Sequence, residues 1–378
     1  MSAARVLLWV QHLLGTGHLR RALLLAEALA GRGARVLVAS GGPPVPWAPA
    51  RGVELLQLPA VRAADAHFTS LIGADGRAVD EPLWRSRAAR LEAALAGFRP
   101  DLVLTEHYPF GRGAFAREIG PLVRRAVAAG IPIAASVRDV LVSKAEPAKL
   151  EAMLVRAAPF ARVLVHGDPA LLPFARSFPL APALGDRLHH TGYLAPPTAT
   201  AATGPRSEIL VSAGGGAVGR RLCATAAEAR AHLPDRPWRI VTGPGAAEPD
   251  VRALEAAAGP GLRVDRHRPD LRELIAGAAL SVSQAGYNTV VETLAAGTRM
   301  LLVPFADGAE DEQTRRAEAL AARGLARVLP ERGLSAGALA RAVADALAAP
   351  PPDPGAIRLD GARRSADLLL GLIGAGAG

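Results

Sequence analysis

Apolar residues fall along this chain in two alternating rhythms. Val6 to Val10 is an unbroken apolar run, as expected of a strand covered on both faces. Leu19, Ala22, Leu23, Ala26 and Leu29 then recur at helical spacing over 18–30 and stop at Gly31. Short runs at 35–39, 53–58, 101–105, 131–137 and 161–166 predict strands, and 86–97, 114–129 and 147–157 predict helices. Such alternation implies a parallel sheet with helices on both faces.

The rhythm breaks at 195–206, Ala-Pro-Pro-Thr-Ala-Thr-Ala-Ala-Thr-Gly-Pro-Arg, a linker by composition. It then restarts. Strands are expected at 209–211, 238–242, 262–264, 279–282, 300–303 and 326–329, and helices at 218–231, 269–276, 287–296, 312–323 and 335–348. The pattern divides the chain into a domain at 1–195 and a second at 206–355. A last helix is expected over 356–373, carrying Ile357, Leu359, Ala366, Leu368, Leu369 and Leu372. Open α/β sheets bind ligands at the carboxyl ends of their strands, so two of them imply a cleft between.

At 378 residues, half of them hydrophobic and 21% charged, the chain has material for two cores and is not a disordered one. The single cysteine, Cys223, excludes an intrachain disulfide and a cysteine-based zinc site. The net charge of +9 suits an anionic partner, while an aromatic content of 4% argues against nucleic acid. No apolar run is long enough to span a bilayer. The opening run is interrupted by Gln11 and His12 and lacks a small-residue cleavage site, so it reads as a strand and the protein as cytoplasmic.

Three glycine turns follow strands and open helices. The first is Gly15-Thr16-Gly17-His18. Glycine permits close backbone approach, and a helix N-terminus favours an anion. Arg20 stands where a dinucleotide fingerprint needs its last glycine, and strand two ends Val38-Ala39-Ser40 without an acid, so a nicotinamide site is poorly supported. His18 either takes a proton from a hydroxyl or caps the helix and positions a ligand. The second turn, Ser212 to Gly219, offers Gly215 and Gly216 to a diphosphate, or is only a tight connection. The third is Ser283-Gln284-Ala285-Gly286-Tyr287-Asn288-Thr289-Val290-Val291-Glu292. Here the first-turn amides of 287–289 suit a diphosphate and Glu292 a ribose, unless Glu292 lies on a solvated face. Farther on, Glu312 and Gln313 suit sugar hydroxyls, or serve the helix dipole.

At these residues the sequence resembles the MurG-like glycosyltransferases of family 28. The resemblance implies the GT-B fold: α/β, with two Rossmann-like parallel-sheet domains facing across a cleft. It implies Gly15, Thr16, Gly17 and His18 on the acceptor side, Gln284 to Thr289 at the donor diphosphate, Glu292 on the ribose, and Glu312 with Gln313 on the donor sugar. His267 stands in the segment resembling the loop over the base, where the family often has an aromatic residue. Gly216 stands where the family has a side chain facing phosphate. A branch of predicted glycosyltransferases is closer still. It shares Thr105-Glu106-His107-Tyr108-Pro109-Phe110-Gly111-Arg112 and Ser136-Val137-Arg138-Asp139. That resemblance makes Glu106, Arg112, Arg138 and Asp139 acceptor-side candidates, or else an ion-pair network at the edge of the sheet.

The expected function is transfer of a sugar, of the N-acetylhexosamine type, from a UDP-linked donor to a hydroxyl acceptor. His18 or Glu106 would be the base, with no cofactor. No Asp-x-Asp occurs, so no metal is expected on the diphosphate. The alternatives are a nucleotide-sugar hydrolase or epimerase of the same fold, and a non-enzymatic protein binding an anionic ligand. For the last, residues 60–90 offer Phe68, Leu71, Ile72, Leu83 and Trp84 beside Arg62, Arg77, Arg85, Arg87 and Arg90. Such a segment would touch anionic lipid from the inner membrane face, or simply be a covering loop and an amphipathic helix. In the GT-B fold the last helix commonly crosses back to the first domain.

Overall fold

The computed structural model describes residues 3–65, 70–141, 146–196, 205–213, 219–243, 245–305 and 311–375. Its first strand, β1 (Arg5–Val10), shows why the opening apolar run is unbroken. Leu7 and Trp9 enter one core, while Val6, Leu8 and Val10 enter another on the opposite face. Each fully buried aliphatic side chain is worth about 1.5–3 kcal/mol, so neither face tolerates a polar residue.

The described residues up to Leu194 and from Asp360 onward form one compact unit, and those from Ala195 to Leu359 a second. Unit 1 holds β1, α1 (Gly17–Ala30), β2 (Arg35–Ser40), β3 (Val53–Gln57), a hairpin of β4 (Val61–Ala63) and β5 (Leu71–Gly73), α2 (Glu81–Phe98), β6 (Leu102–Glu106), α3 (Ala116–Ala128), β7 (Ile133–Arg138), α4 (Pro147–Ala157), β8 (Arg162–His166) and β9 (Leu188–His190). Its sheet is parallel throughout, in the order β3-β2-β1-β6-β7-β8-β9. Unit 2 holds β10 (Ile209–Ser212), α5 (Arg220–Ala229), β11 (Trp238–Val241), α6 (Glu248–Ala257), β12 (Leu262–Asp265), α7 (Leu271–Gly277), β13 (Leu280–Ser283), α8 (Tyr287–Ala295), β14 (Arg299–Leu302), α9 (Glu312–Ala322), β15 (Arg327–Val328) and α10 (Ala336–Ala348). Its sheet is also parallel, in the order β12-β11-β10-β13-β14-β15.

The last helix, α11 (Gly361–Ala375), belongs to unit 1. Ala366 and Leu369 complete the core under α1, and Arg32 Nε meets Asp367 Oδ1 at 2.6 Å. It starts later than the sequence pattern suggests, because 354–356 forms a separate turn capped by Asp353. In the opposite direction, α2 starts before its apolar stripe, because Asp80 accepts the Leu83 amide at 3.0 Å and caps it.

Within residues 60–90, two of the side chains offered to lipid, Trp84 and Arg87, are buried. The segment begins as the β4–β5 hairpin and continues into α2. Trp84 is buried and meets Phe115 edge to face at 5.3 Å. Arg87 is fully buried, with Nε 2.5 Å and Nη2 2.8 Å from the Glu118 carboxylate. Glu118 also accepts from Trp9 Nε1 at 2.9 Å, and Gln11 accepts from Arg87 at 2.7 Å. The helix buries the indole and the guanidinium because the pair neutralises itself inside the core. Phe68 lies outside the described residues. No helix among the described residues is long and apolar enough to cross a membrane.

Candidate active site

In both sheets the strand order reverses once, between β1 and β6 in unit 1 and between β10 and β13 in unit 2. The connections leaving such neighbours go to opposite faces, and a crevice opens at their carboxyl ends. In unit 1 this brings the turn after β1 beside the end of β6. Gly15, Thr16 and Gly17 form that turn, and the Thr16 carbonyl accepts the Arg20 amide at 2.9 Å to start α1.

His18, in the first turn of α1, reaches Glu106 at the end of β6: Nδ1 lies 2.6 Å from Oε2. Glu106 is buried, and its Oε1 accepts from Arg21 Nη2 at 2.6 Å and Nε at 3.2 Å. His18 keeps 15% of its side chain exposed. Burial holds its imidazole well below the usual histidine range, and the charges of Arg112, Arg21 and Arg138 add to this. A ring in this state is neutral at pH 7. With its Nδ1 hydrogen given to Glu106, the second nitrogen is an acceptor able to take a proton.

The segment 105–112 is shaped around that pair. Thr105 Oγ1 donates to the Tyr108 carbonyl at 2.7 Å, and the Tyr108–Pro109 peptide is cis. His107 has φ 67°, which turns its ring edge-on to His18 at 5.1 Å. A Cβ on Gly111 would fall 2.3 Å from the His107 ring, so only glycine fits there. Arg112 donates from Nε to the Gln11 carbonyl at 3.0 Å, and burial lowers its pKa to about 10. Arg138, half-buried at the end of β7, adds to the positive field on His18. Asp139 is different. It is buried, and accepts from the Val140 amide at 2.9 Å and from Tyr193 Oη at 3.3 Å.

In unit 2 the same topological point carries main chain. α8 opens at Tyr287 with Gly286 as its cap, and no side chain caps it. The first turn of a helix leaves its amides without intrahelical partners. Among the described residues, a Cβ on Gly286 would meet nothing within 4 Å. Gln284, Asn288 and Thr289 are half-buried there, and Ala285 and Tyr287 are buried. Glu292 is buried too, not on a solvated helix face. Gly215 and Gly216 lie outside the described residues. His267 is exposed on the connection after β12.

Glu312 and Gln313, expected on sugar hydroxyls, hold groups of the protein itself. Glu312 Oε1 accepts from Arg316 Nη2 at 2.8 Å, and Gln313 Oε1 accepts the Phe305 amide at 3.1 Å. Arg316 is fully buried. Its Nη1 donates to the Ala285 carbonyl at 2.8 Å and its guanidinium lies 5.7 Å from the Tyr287 ring. It fastens α9 to the turn that opens α8.

Residues 210–354 match the glycosyltransferase family 28 C-terminal domain. Over 344 residues the chain is 30% identical to the UDP-N-acetylglucosamine--N-acetylmuramyl-(pentapeptide) pyrophosphoryl-undecaprenol N-acetylglucosamine transferase of Bordetella pertussis, covering 89% of this chain and 87% of that one. The chain belongs to the MurG-like glycosyltransferases of family 28. The enzyme of the same name from Rhodospirillum centenum is 39% identical over 116 residues, a stretch spanning 29% of this chain and 31% of that protein. The crystal structure of Acinetobacter baumannii MurG covers 97% of this chain and 99% of its own with a TM-score of 0.62 at 18% identity. The fold is therefore GT-B, α/β with two Rossmann-like domains.

Against that family background, three residues of this chain escape sequence reasoning. Arg21 and Arg316 lie on amphipathic helices, where arginine reads as solvated. His166 ends β8 as one more strand residue, yet it is fully buried. Its Nε2 is 2.8 Å from Ser136 Oγ, its Nδ1 2.9 Å from Thr191 Oγ1, and burial pushes its pKa down to about 3. The available signal for Arg21 was its spacing: three residues after His18 on a helix is the same face.

Proposed function

We propose that the protein transfers a sugar, of the N-acetylhexosamine type, from a UDP-linked donor to a hydroxyl acceptor, with His18 as the base. The observation that carries this reading is the 2.6 Å contact between His18 Nδ1 and the buried Glu106 carboxylate. It orients the ring and leaves the other nitrogen for the acceptor. Glu106 is then the positioning group and not the base, since both its oxygens are engaged by Arg21 and His18.

In the step itself the acceptor O–H proton passes to His18. The oxygen forms a bond to the anomeric carbon as the bond from that carbon to the diphosphate breaks. The nucleoside diphosphate leaves with the electron pair. The amides that open α8 take up its charge, held in place by Arg316. Glu292 serves the ribose, as in the resemblance. No cofactor is needed, and the roles of a metal are filled by fixed dipoles.

The same base would activate water equally well, which keeps hydrolysis of the donor as the second reading. Thermal unfolding with UDP, UDP-N-acetylglucosamine and dTDP tests donor choice, because a ligand of the folded state raises the melting temperature. The expected result is a rise with the two uridine ligands, and little free sugar from donor alone. Stoichiometric free sugar without acceptor would make the protein a hydrolase. No shift with any nucleotide would end both readings.

A further inference from the structure

We infer that Arg21 is a positioning residue that keeps His18 neutral and in its Nδ1-protonated form. The inference deepens the reading of His18 as base, because it says what makes the base usable. A buried carboxylate 2.6 Å from an imidazole ordinarily draws a proton onto the ring, giving a Glu⁻–HisH⁺ ion pair with no basic nitrogen left. Here the carboxylate is already neutralised. Arg21 puts Nη2 at 2.6 Å and Nε at 3.2 Å from Glu106 Oε1, and all its charge is spent inside the site because Arg21 is buried. Oε2 is left for the His18 Nδ1 hydrogen.

Arg21 Nη2 also lies 3.0 Å from His18 Nδ1. A neutral ring cannot both donate from that nitrogen and accept at it. The shorter contact, to an anion, takes the hydrogen. Arg21 therefore acts on the ring through Glu106 and by its field. The other charged or titratable groups around the ring point the same way. Arg112 follows β6, Arg138 ends β7, His12 follows β1 and His107 meets the ring edge-on; the first three oppose protonation of His18 along with Arg21. The group is balanced as Arg⁺, Glu⁻ and a neutral histidine, and removing the arginine leaves a bare carboxylate beside the imidazole.

The test reads the ring directly. Long-range proton–nitrogen correlation spectra of the labelled protein give the tautomer and titration midpoint of each imidazole, with His18 assigned by its loss in His18→Gln. The wild-type signal is expected to be neutral and Nδ1-protonated from pH 6.5 upward. In Arg21→Met and Arg21→Gln the midpoint should rise by at least about one unit, the scale of one opposite charge. Arg21→Lys, which restores the charge, should return it to the wild-type value. A midpoint unmoved in both neutral variants, or an Nε2-protonated wild-type ring, would overturn the inference. If both neutral variants lose the fold, a charged or Nε2-protonated wild-type ring would still overturn the inference. Sugar transfer plays no part in this readout, so failure of the transferase reading leaves it standing, and the reverse also holds.

Discussion

At the switch point of unit 1 the groups brought together are side chains, a buried ion pair and a neutral imidazole. At the switch point of unit 2 they are peptide amides. The first set, Arg21, Glu106 and His18, needs burial to work, since burial keeps the imidazole neutral and the carboxylate fixed. The second would need open space for a diphosphate to reach the main chain, and among the described residues nothing crowds Gly286. Arginine serves both, in opposite ways. Arg21 sets a charge state, while Arg316 braces a backbone. On the proposed function, proton chemistry belongs to unit 1 and anion binding to unit 2, so each should be open to damage without the other.

The sharpest way to break this comparison is a crossed pair. His18→Ala should lower turnover about 100- to 10,000-fold, the range for loss of a general base, and leave UDP affinity unchanged. Gly286→Ala should do the reverse. Its φ of −65° suits alanine and its Cβ meets open space, so stability should change by less than about 1 kcal/mol. UDP affinity by calorimetry should nevertheless fall about tenfold as the amides are screened, about 1.4 kcal/mol. Equal loss of binding in both variants would collapse the distinction.

A smaller effect is expected from Arg316→Met. It leaves the Ala285 carbonyl unpaired in the core and frees Glu312, costing about 2–3 kcal/mol. Denaturant melts should show that loss, UDP affinity should drop, and the His18 titration should not move. A shifted His18 midpoint would show that the units are not chemically independent.

A further effect concerns pH. In the folded protein the His166 pKa is lowered to about 3, while an unfolded histidine titrates near 6.5. As pH falls, the unfolded chain takes up the proton first. The stability from a neutral buried His166 is therefore whole above about 6.5 and is lost progressively toward 3, at about 1.4 kcal/mol per unit. Urea melts at pH 7.5, 6 and 5 should show this slope in the wild type and a shallower one in His166→Asn. Parallel slopes would remove His166 from the account.

The alternation of strands and helices was legible because apolar period is a local property, and β1 and α1 carry it cleanly. So was the place of the turn at 284–286, between β13 and α8, since glycine often stands where a strand passes into a helix. The short strand β9 was not legible: its three residues, Leu188, His189 and His190, show no alternation. Buried charge was the main blind spot. Arg21, Arg87 and Arg316 read as surface residues, because a guanidinium enters a core only when its partner comes from another element, and pairings such as Arg87 with Glu118 are set by tertiary structure. The partner of Asp139 was hidden for the same reason: Tyr193, which donates to its carboxylate at 3.3 Å, comes from another part of the chain.

The place of α11 in unit 1 sets an order of assembly during synthesis. The described part of unit 2 lies between the two stretches of unit 1, so its residues from Ala195 to Leu359 are made before the helix that completes the first core. Unit 1, made first, waits longest: until Ala366 and Leu369 emerge, the groove along α1 stands uncovered, with its leucines exposed to any passing chaperone.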